Sequence, residues 1–197
     1  MVRLDVVFAN RYLQAWHARQ AGQPTTRSWQ RAFEAADRPH IILQHLLLGI
    51  NAHINLDLAI AAAQTAPGGS IHALATDFNR INDVIGSLAG SMQNRLANLC
   101  PPMHLLSQLA AGREKAVLNF SIAKARQAAW ANAVILAELT EPDDQHIAHM
   151  DQVVALLATR IEQPGGWTRW LLPIIRWWEE KDVEKAAAEL AKPLAIG

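Results

Sequence analysis

This chain of 197 residues has a single cysteine and a formal net charge of zero. Cys100 is the only cysteine, so no disulfide can form within the chain. It stands directly before two prolines at a predicted helix end, which favours a packing role over a catalytic one. The 18 basic residues are balanced by 18 acidic residues. A nucleic-acid binder that works through a basic field is therefore not expected.

Strand patterns and leader sequences are lacking as well. No clear run alternates apolar and polar residues over the length of a strand. The N-terminal stretch MVRLDVVFANRYLQAW carries charges at Arg3, Asp5 and Arg11 and has no uninterrupted apolar core, unlike a signal peptide. With 51% hydrophobic residues, the chain is too apolar for a disordered protein. We therefore expect a folded, cytoplasmic protein.

The pattern that is present is helical. Glycine and proline fall between long segments with a hydrophobic period of 3.6 residues. This pattern predicts one all-α domain over residues 1–197, a bundle of about seven or eight helices around a buried central helix at residues 40–63. Residues 70–97 are expected to run antiparallel to that helix. The Trp-rich tail, residues 166–197, is predicted to pack on the bundle or on a partner subunit of a homo-oligomer.

The predicted central helix contains the string QHLLLGINAHINLDLAIAAA, residues 44–63. Its length and apolar content fit a membrane span, yet it carries six polar side chains that hydrogen bond. An Asp near the centre of a bilayer costs about 2.5–3.5 kcal/mol on insertion scales. No second segment of this kind could bury these groups. The string therefore predicts a core helix and no transmembrane segment.

The polar side chains of this helix fall into two lines. At about 100° per residue, one line drifts by about 40° per step, and its members are His45, Gly49, His53 and Asp57. The other line contains Gln44, Asn51 and Asn55. Because His53 and Asp57 are four residues apart, their side chains can touch. The first line therefore combines residue types that are typical of a reactive site.

The following helices repeat this pattern. On residues 70–97, one polar face collects His72, Thr76, Asn79, Asp83, Gly86 and Gly90. Asp77 and Asn82 lie beside that face. A later long helix carries Arg126 and Trp130 four residues apart. These positions predict a polar site between the helices at 40–63 and 70–97.

Three strings carry a family resemblance: QHLLLGINAHINLDLAIA, DFNRIND and ARQAAWANA, in this order. They resemble the bacterial domain of unknown function family 5995 over roughly residues 25–140, and NAHINLDL is quite specific. The resemblance implies a single α-helical domain and no established activity. The residues that match the family pattern are His45, Asn51, His53, Asn55, Asp57, Asp77, Asn82, Arg126 and Trp130. The Trp-rich tail is not part of the resemblance.

One interpretation of the polar site is a metal centre. His53 and Asp57 place an imidazole and a carboxylate on one helix face, and His72 with Asp83 or Asp77 could complete a ligand set. Such ligands suit zinc, iron or manganese. The sequence has no H-E-x-x-H motif and no Glu-x-x-His repeat of the di-iron type.

A second interpretation is a metal-free acid–base site. A carboxylate that holds a histidine in one tautomer makes it a general base. His53 and Asp57 are the leading catalytic candidates, with His45, Asp77 and Asp83 as secondary ones. Asn51, Asn55, Asn82, Arg126 and Trp130 are candidate substrate-binding residues. No G-x-S-x-G nucleophile motif is present, so isomerisation, cyclisation, lyase chemistry and water-mediated hydrolysis all stay open.

A third interpretation is purely structural. Buried polar groups need partners, and helices that each carry a polar line can hydrogen bond to one another without any chemistry. The protein would then be a non-catalytic binding or scaffold protein. The density of polar groups favours an enzyme that acts on a small molecule. The tryptophans of the tail indicate that this ligand is apolar or aromatic.

Overall fold

The computed structural model describes residues 2–100, 113–139, 144–166 and 168–192. Within these ranges, the side chains of residues 2, 82–91, 93, 113–121 and 168 are not part of the description. All regular secondary structure in the described ranges is helical. The prediction of a single all-α domain is therefore confirmed.

Most of the described chain lies in α-helices joined by short connections. They are α1 (Val2–Gln20), α2 (Arg27–Glu34), α3 (Ile42–Ala52), α4 (Leu58–Thr65), α5 (Ala75–Leu99), α6 (Arg113–Glu138), α7 (Asp144–Glu162), α8 (Thr168–Trp178) and α9 (Val183–Leu190). A π-helical turn, His53–Asp57, joins α3 directly to α4. Ile42–Thr65 is therefore one continuous helix, called the central helix below.

The central helix lies in the core of the bundle. Every residue from Leu56 to Ala63 is buried. This half packs mainly against α6 and α1. Ala129 and Ala133 of α6 are fully buried in the same core cluster, and short side chains let two helices approach closely.

Burial explains the apolar composition of the central helix. Among the described residues, it is the one helix long and apolar enough to cross a membrane, with a mean hydropathy of 1.5 over its most apolar window. In the bundle, 61% of that window is buried. A helix that is apolar on all sides suits the middle of a helical domain.

The segment expected as the helix 70–97 differs from its prediction in two ways. Residues Gly68–Leu74 form a 3-10 turn, and α5 begins only at Ala75. Ser70, in this turn, donates its hydroxyl to the carbonyl of Pro67 at 2.6 Å. The main packing neighbours of α5 are α6, α9 and the 3-10 turn, whereas α6 and α1 pack on α4, and α2 and α7 pack on α3. The alanine face of α6 explains why it packs closest to α4.

The start of α2 is held by side chains from two elements. Thr26 is its N-cap and accepts a hydrogen bond from the Trp29 amide at 3.4 Å. Asp151 of α7 accepts from the amides of Arg27 and Ser28, at 2.7 and 2.9 Å, and from the Ser28 hydroxyl at 2.7 Å. A buried carboxylate at a helix N-terminus is favourable because of the helix dipole. These contacts fix the position of the next residue, Trp29.

The Trp-rich tail packs on the bundle through one edge of α8. Ile175, with Leu171 and Leu172 beside it, contacts a cluster formed by Ile41, Leu43 and Cys100. Cys100 is therefore a packing residue, as its place directly before two prolines favours. Glu179, at the end of α8, accepts from the Ile42 amide at 2.9 Å and so holds the first turn of the central helix. The tryptophans of the opposite face, Trp170, Trp177 and Trp178, are exposed.

Candidate functional site

Asp57 is the centre of a buried polar network, although its side chain is only 1% exposed. One carboxylate oxygen accepts from Arg11 Nε of α1 at 2.9 Å. The other accepts from Trp29 Nε1 of α2 at 2.8 Å and lies 3.2 Å from His53 Nδ1. A buried carboxylate requires such partners because its charge loses solvation by water. Asp57 therefore ties α1 and α2 to the central helix.

His53 is the member of this network that reaches solvent. Its side chain is 27% exposed, and its ring stacks on Phe8 with the ring centroids 3.7 Å apart. Because an ionised carboxylate only accepts hydrogen bonds, the contact with Asp57 places the proton of a neutral His53 on Nδ1. Nε2 then carries the lone pair. No described residue forms a hydrogen bond with Nε2.

The backbone at this point of the central helix is unusual. His53–Asp57 is π-helical, and the Leu58 amide donates to the His53 carbonyl five residues earlier. Single π turns within α-helices are rare and are frequent at functional sites. His53 and Asp57 are the first and last residues of this turn, so the geometry of the turn sets how the imidazole contacts the carboxylate.

A cleft of about 550 Å³ lies beside His53. Its lining is mainly apolar and aromatic, and includes Phe8, Trp29, Leu46, Ile50, Phe78 and Ile81. The lining also includes the polar or ionisable side chains of Asp5, Tyr12, His45, His53 and Arg126. An apolar pocket of this size with a few convergent polar groups is typical of a small-molecule site.

A second depression, of about 320 Å³, lies between α2 and α7. Its lining includes Arg27, Gln30, Arg31 and Glu34. Arg31 already pairs with the buried Glu162 at 2.8 Å. The cleft beside His53 is the better candidate because it is larger, more apolar and lined by His45, His53 and Arg126.

His45 lines the same cleft, eight residues before His53 on the central helix. Burial, followed by the nearby His40, lowers the pKa of His45 below its usual 6.5, and Arg176 adds to this effect. The His40 and His45 ring centroids are 5.8 Å apart. The predicted line of His45, Gly49 and His53 thus faces one cavity, with Asp57 behind it.

Arg126 enters the cleft from α6. It is 3% exposed, donates to the Phe78 carbonyl at 2.7 Å and lies 4.5 Å from the centre of the Phe78 ring. Burial lowers the pKa of Arg126 below its usual value. Trp130 packs on Phe78, with the ring centroids 4.9 Å apart, and supports this wall from behind. Arg126 therefore lines the cleft, and Trp130 packs behind its wall.

The second polar line has a structural role instead. Asn51 donates to the Val154 carbonyl of α7 at 2.9 Å and accepts from Asn55 at 3.0 Å. Gln44 donates to the Ile161 carbonyl at 2.8 Å. These bonds attach the central helix to α7. The predicted substrate-binding role of Asn51 and Asn55 is therefore corrected, because neither residue lines the cleft.

The predicted metal ligands do not converge. His72 lies in the 3-10 turn, is 63% exposed, and its Nε2 lies 3.5 Å from Glu138. Both oxygens of Asp57 are occupied by Arg11, Trp29 and His53. In the part of the chain that the structure describes, no three His, Cys, Asp or Glu side chains form a group able to hold a metal ion.

The remaining predicted residues are accounted for as follows. Asp77, in the first turn of α5, is half-buried and lines neither depression. Asn82 and Asp83 lie among the residues whose side chains are outside the described part of the structure. The residues that bring α5 to the cleft are instead Phe78 and Ile81.

Sequence reasoning missed the contributions of α1 and α2. Arg11 and Tyr12 follow Phe8 by three and four residues, so both lie on the same side of α1 as Phe8 and meet the His53–Asp57 pair from that side. This spacing is visible in the sequence. Trp29, in the first turn of α2, carries no sequence signal of its bond to Asp57. That contact depends on how α2 packs.

Comparison with known families accounts for most of the chain. A model of a family of unknown function, DUF5995, matches residues 1–164. The chain belongs to the DUF5995 family. The match extends beyond the resemblance at residues 25–140 at both ends. It covers α1 as well as α2, whose side chains Arg11 and Trp29 donate hydrogen bonds to Asp57. In this DUF5995 protein, α8 and α9 follow the matched segment. No curated protein and no solved structure matched the chain.

Proposed function

We propose that this protein binds an apolar small molecule in the cleft and acts on it by proton transfer, with His53 as the general base. The observation that carries the proposal is the combination of two contacts at one imidazole. Nδ1 of His53 is held by the buried Asp57, while the same ring faces an apolar cleft of about 550 Å³. A carboxylate that fixes the tautomer leaves Nε2 as a base.

The surrounding residues would support each step of a proton transfer. As His53 takes up a proton, the charge of the imidazolium is offset by Asp57, which Arg11 and Trp29 keep in place. The apolar walls would exclude water from the reacting atoms. The described lining residues include no serine, cysteine or lysine, so the chemistry proposed is isomerisation, cyclisation, elimination or hydrolysis by water.

A second candidate function is non-catalytic binding. The observation that favours it is the role of Asp57 in joining α1, α2 and the central helix. A residue with that role is needed for the fold whether or not chemistry takes place. In that case the cleft would hold its ligand without changing it.

The two functions are separated by comparing variants on a mixture of small molecules. Purified protein is incubated with a metabolite extract, and compounds consumed or retained are identified by mass spectrometry. For an enzyme, we expect the wild type to consume at least one apolar compound and His53→Phe, which preserves the ring stack on Phe8, to leave it unchanged. His72→Gln, an exposed histidine away from the cleft, is the matched control and should behave as the wild type.

The outcomes are distinct. A compound that is retained but not consumed would support the binding function. Consumption that persists in His53→Phe at the wild-type rate would contradict His53 as the base. Thermal unfolding of each variant is measured alongside, so that loss of activity is not confused with loss of fold.

A further inference from the structure

The cleft has two hydrogen-bonding positions on one wall, and they are far apart. We propose that its ligand is an elongated, mainly apolar and uncharged molecule with one hydrogen-bonding group at each end, one for His53 and the other for His45. This inference rests on the proposed function in taking the cleft as the binding site. It adds the shape and chemical class of the ligand.

The distance between the two positions follows from helix geometry. His45 and His53 both line the cleft, and they are eight residues apart on the central helix. The stretch between them is α-helical, since the π turn begins only at His53. At a rise of 1.5 Å per residue, they are about 12 Å apart along the axis. A compact ligand cannot reach both imidazoles.

The wall between the two histidines is open and apolar. Gly49 lies midway and also lines the cleft. A Cβ atom added to Gly49 would meet no heavy atom within 4 Å, so the space above it belongs to the cleft. The neighbouring lining residues of the same helix, Leu46 and Ile50, are apolar. The middle of the ligand therefore gains affinity by burying apolar surface against this wall.

The two ends favour neutral groups over charged ones. Burial is the main cause that lowers the pKa of His45, so the site disfavours the charged form of this imidazole. A neutral imidazole both donates and accepts, and it suits a hydroxyl or carbonyl group. At the other end, the buried Asp57 behind His53 would repel an anion. Arg126 already donates to the Phe78 carbonyl and lies over its ring.

Three related probes test both the length and the two ends. They are trans-4,4′-dihydroxystilbene, 4-hydroxystilbene and stilbene, with affinity followed by quenching of tryptophan fluorescence. Since a neutral hydrogen bond is worth a factor of about five in affinity, we expect the dihydroxy probe to bind about five-fold tighter than the monohydroxy probe. Stilbene should bind more weakly than either.

Variants assign this preference to the two histidines. His45→Phe should remove the advantage of the second hydroxyl while the monohydroxy probe still binds. Gly49→Phe should weaken all three probes by filling the cleft. Gly69→Phe is the matched control, because Gly69 also has open space around its Cβ position, lies outside the cleft, and should leave binding unchanged.

The results separate this inference from the proposed function. Equal binding of the three probes, no binding of any, or a preference for the dihydroxy probe that survives His45→Phe would overturn the two-ended ligand. If Gly49→Phe still blocks the probes in the case of equal binding, the cleft remains a binding site. The proposed chemistry is overturned separately, when turnover does not depend on His53. Thermal unfolding of Gly49→Phe is compared with that of Gly49→Ala to confirm that the fold is kept.

Discussion

At the scale of single residues, Asp57 and His53 have different environments although they touch. Asp57 is buried and has partners on three elements, whereas His53 is partly exposed and has one partner in the network. The four-residue spacing predicted their contact, because such pairs meet on a helix. It could not predict Arg11 or Trp29 as partners of Asp57. Those contacts join separate helices, so they depend on packing.

This difference leads to a prediction about stability. Replacing Asp57 by Ala should lower the free energy of unfolding by about 3–5 kcal/mol, because it leaves Arg11 and the Trp29 indole without their buried partner. His53→Phe should cost about 1 kcal/mol, the contribution of one hydrogen bond. Urea unfolding measures both. The exposed Asp37 supplies the control, since Asp37→Ala should change stability by about 0.5 kcal/mol or less.

If Asp57→Ala and His53→Phe lose the same free energy, the two residues act as one structural unit. Such a result would favour the scaffold function over the enzyme.

At the scale of elements, the central helix has two polar lines with different roles. Helical angles separated these lines in the sequence, and the structure turns one toward the cleft and the other toward α7. Angles alone could not assign the roles, because both lines contain hydrogen-bonding residues. The π turn was also beyond prediction. It changes the register of the helix without any glycine or proline to mark it.

Gly49 gives a prediction at this scale. It lies inside α3 with open space around its Cβ position, so Gly49→Ala should raise the free energy of unfolding by up to about 1 kcal/mol through helix propensity. The contrast is Gly22, whose φ of +67° disfavours any side chain. Gly22→Ala should lower stability by roughly 1–2 kcal/mol. Chemical denaturation of both variants checks the pair, and a loss of stability in Gly49→Ala would show that the cleft is closed above Gly49.

At the scale of the whole molecule, the fold class was readable because the hydrophobic period is helical nearly throughout. Which helices pack against the central helix was harder to predict from the sequence, since several helices have faces suited to it. α6 packs along α4 through short side chains, a feature that a polarity pattern does not register. The acidic residues of the last described helices also fix distant elements. Asp151 holds α2, and Glu179 holds the central helix.

The contribution of His45 to stability should fall as the solution is acidified from neutral pH. The pKa of His45 is below 6.5 in the folded protein, so the unfolded chain binds more protons between the two values and stability rises with pH there. The contribution of His45 is therefore present above pH 6.5 and is lost as pH falls toward the folded value. Burial raises the pKa of Glu179 above 4.5, which has the opposite sign: its contribution is lost as pH rises through the folded value.

The two contributions are separated by a substitution. His45→Gln should remove the loss of stability that His45 causes between about pH 7.5 and pH 5.5, while the opposite change due to Glu179 remains. Urea unfolding at several pH values measures the slope. The same slope in His45→Gln and in the wild type would show that His45 does not titrate as its burial requires.

The central claim is that Asp57 holds His53 as a base whose free nitrogen faces the cleft. Nitrogen NMR of protein labelled in its histidine rings tests it most directly, with the His53 signals assigned by their absence in His53→Phe. In the neutral ring of His53, we expect a proton on Nδ1 and none on Nε2, and exposed His72 serves as the reference ring in the same spectrum. A neutral His53 that carries its proton on Nε2 would contradict the claim, because Nδ1 would then have no proton to donate to Asp57.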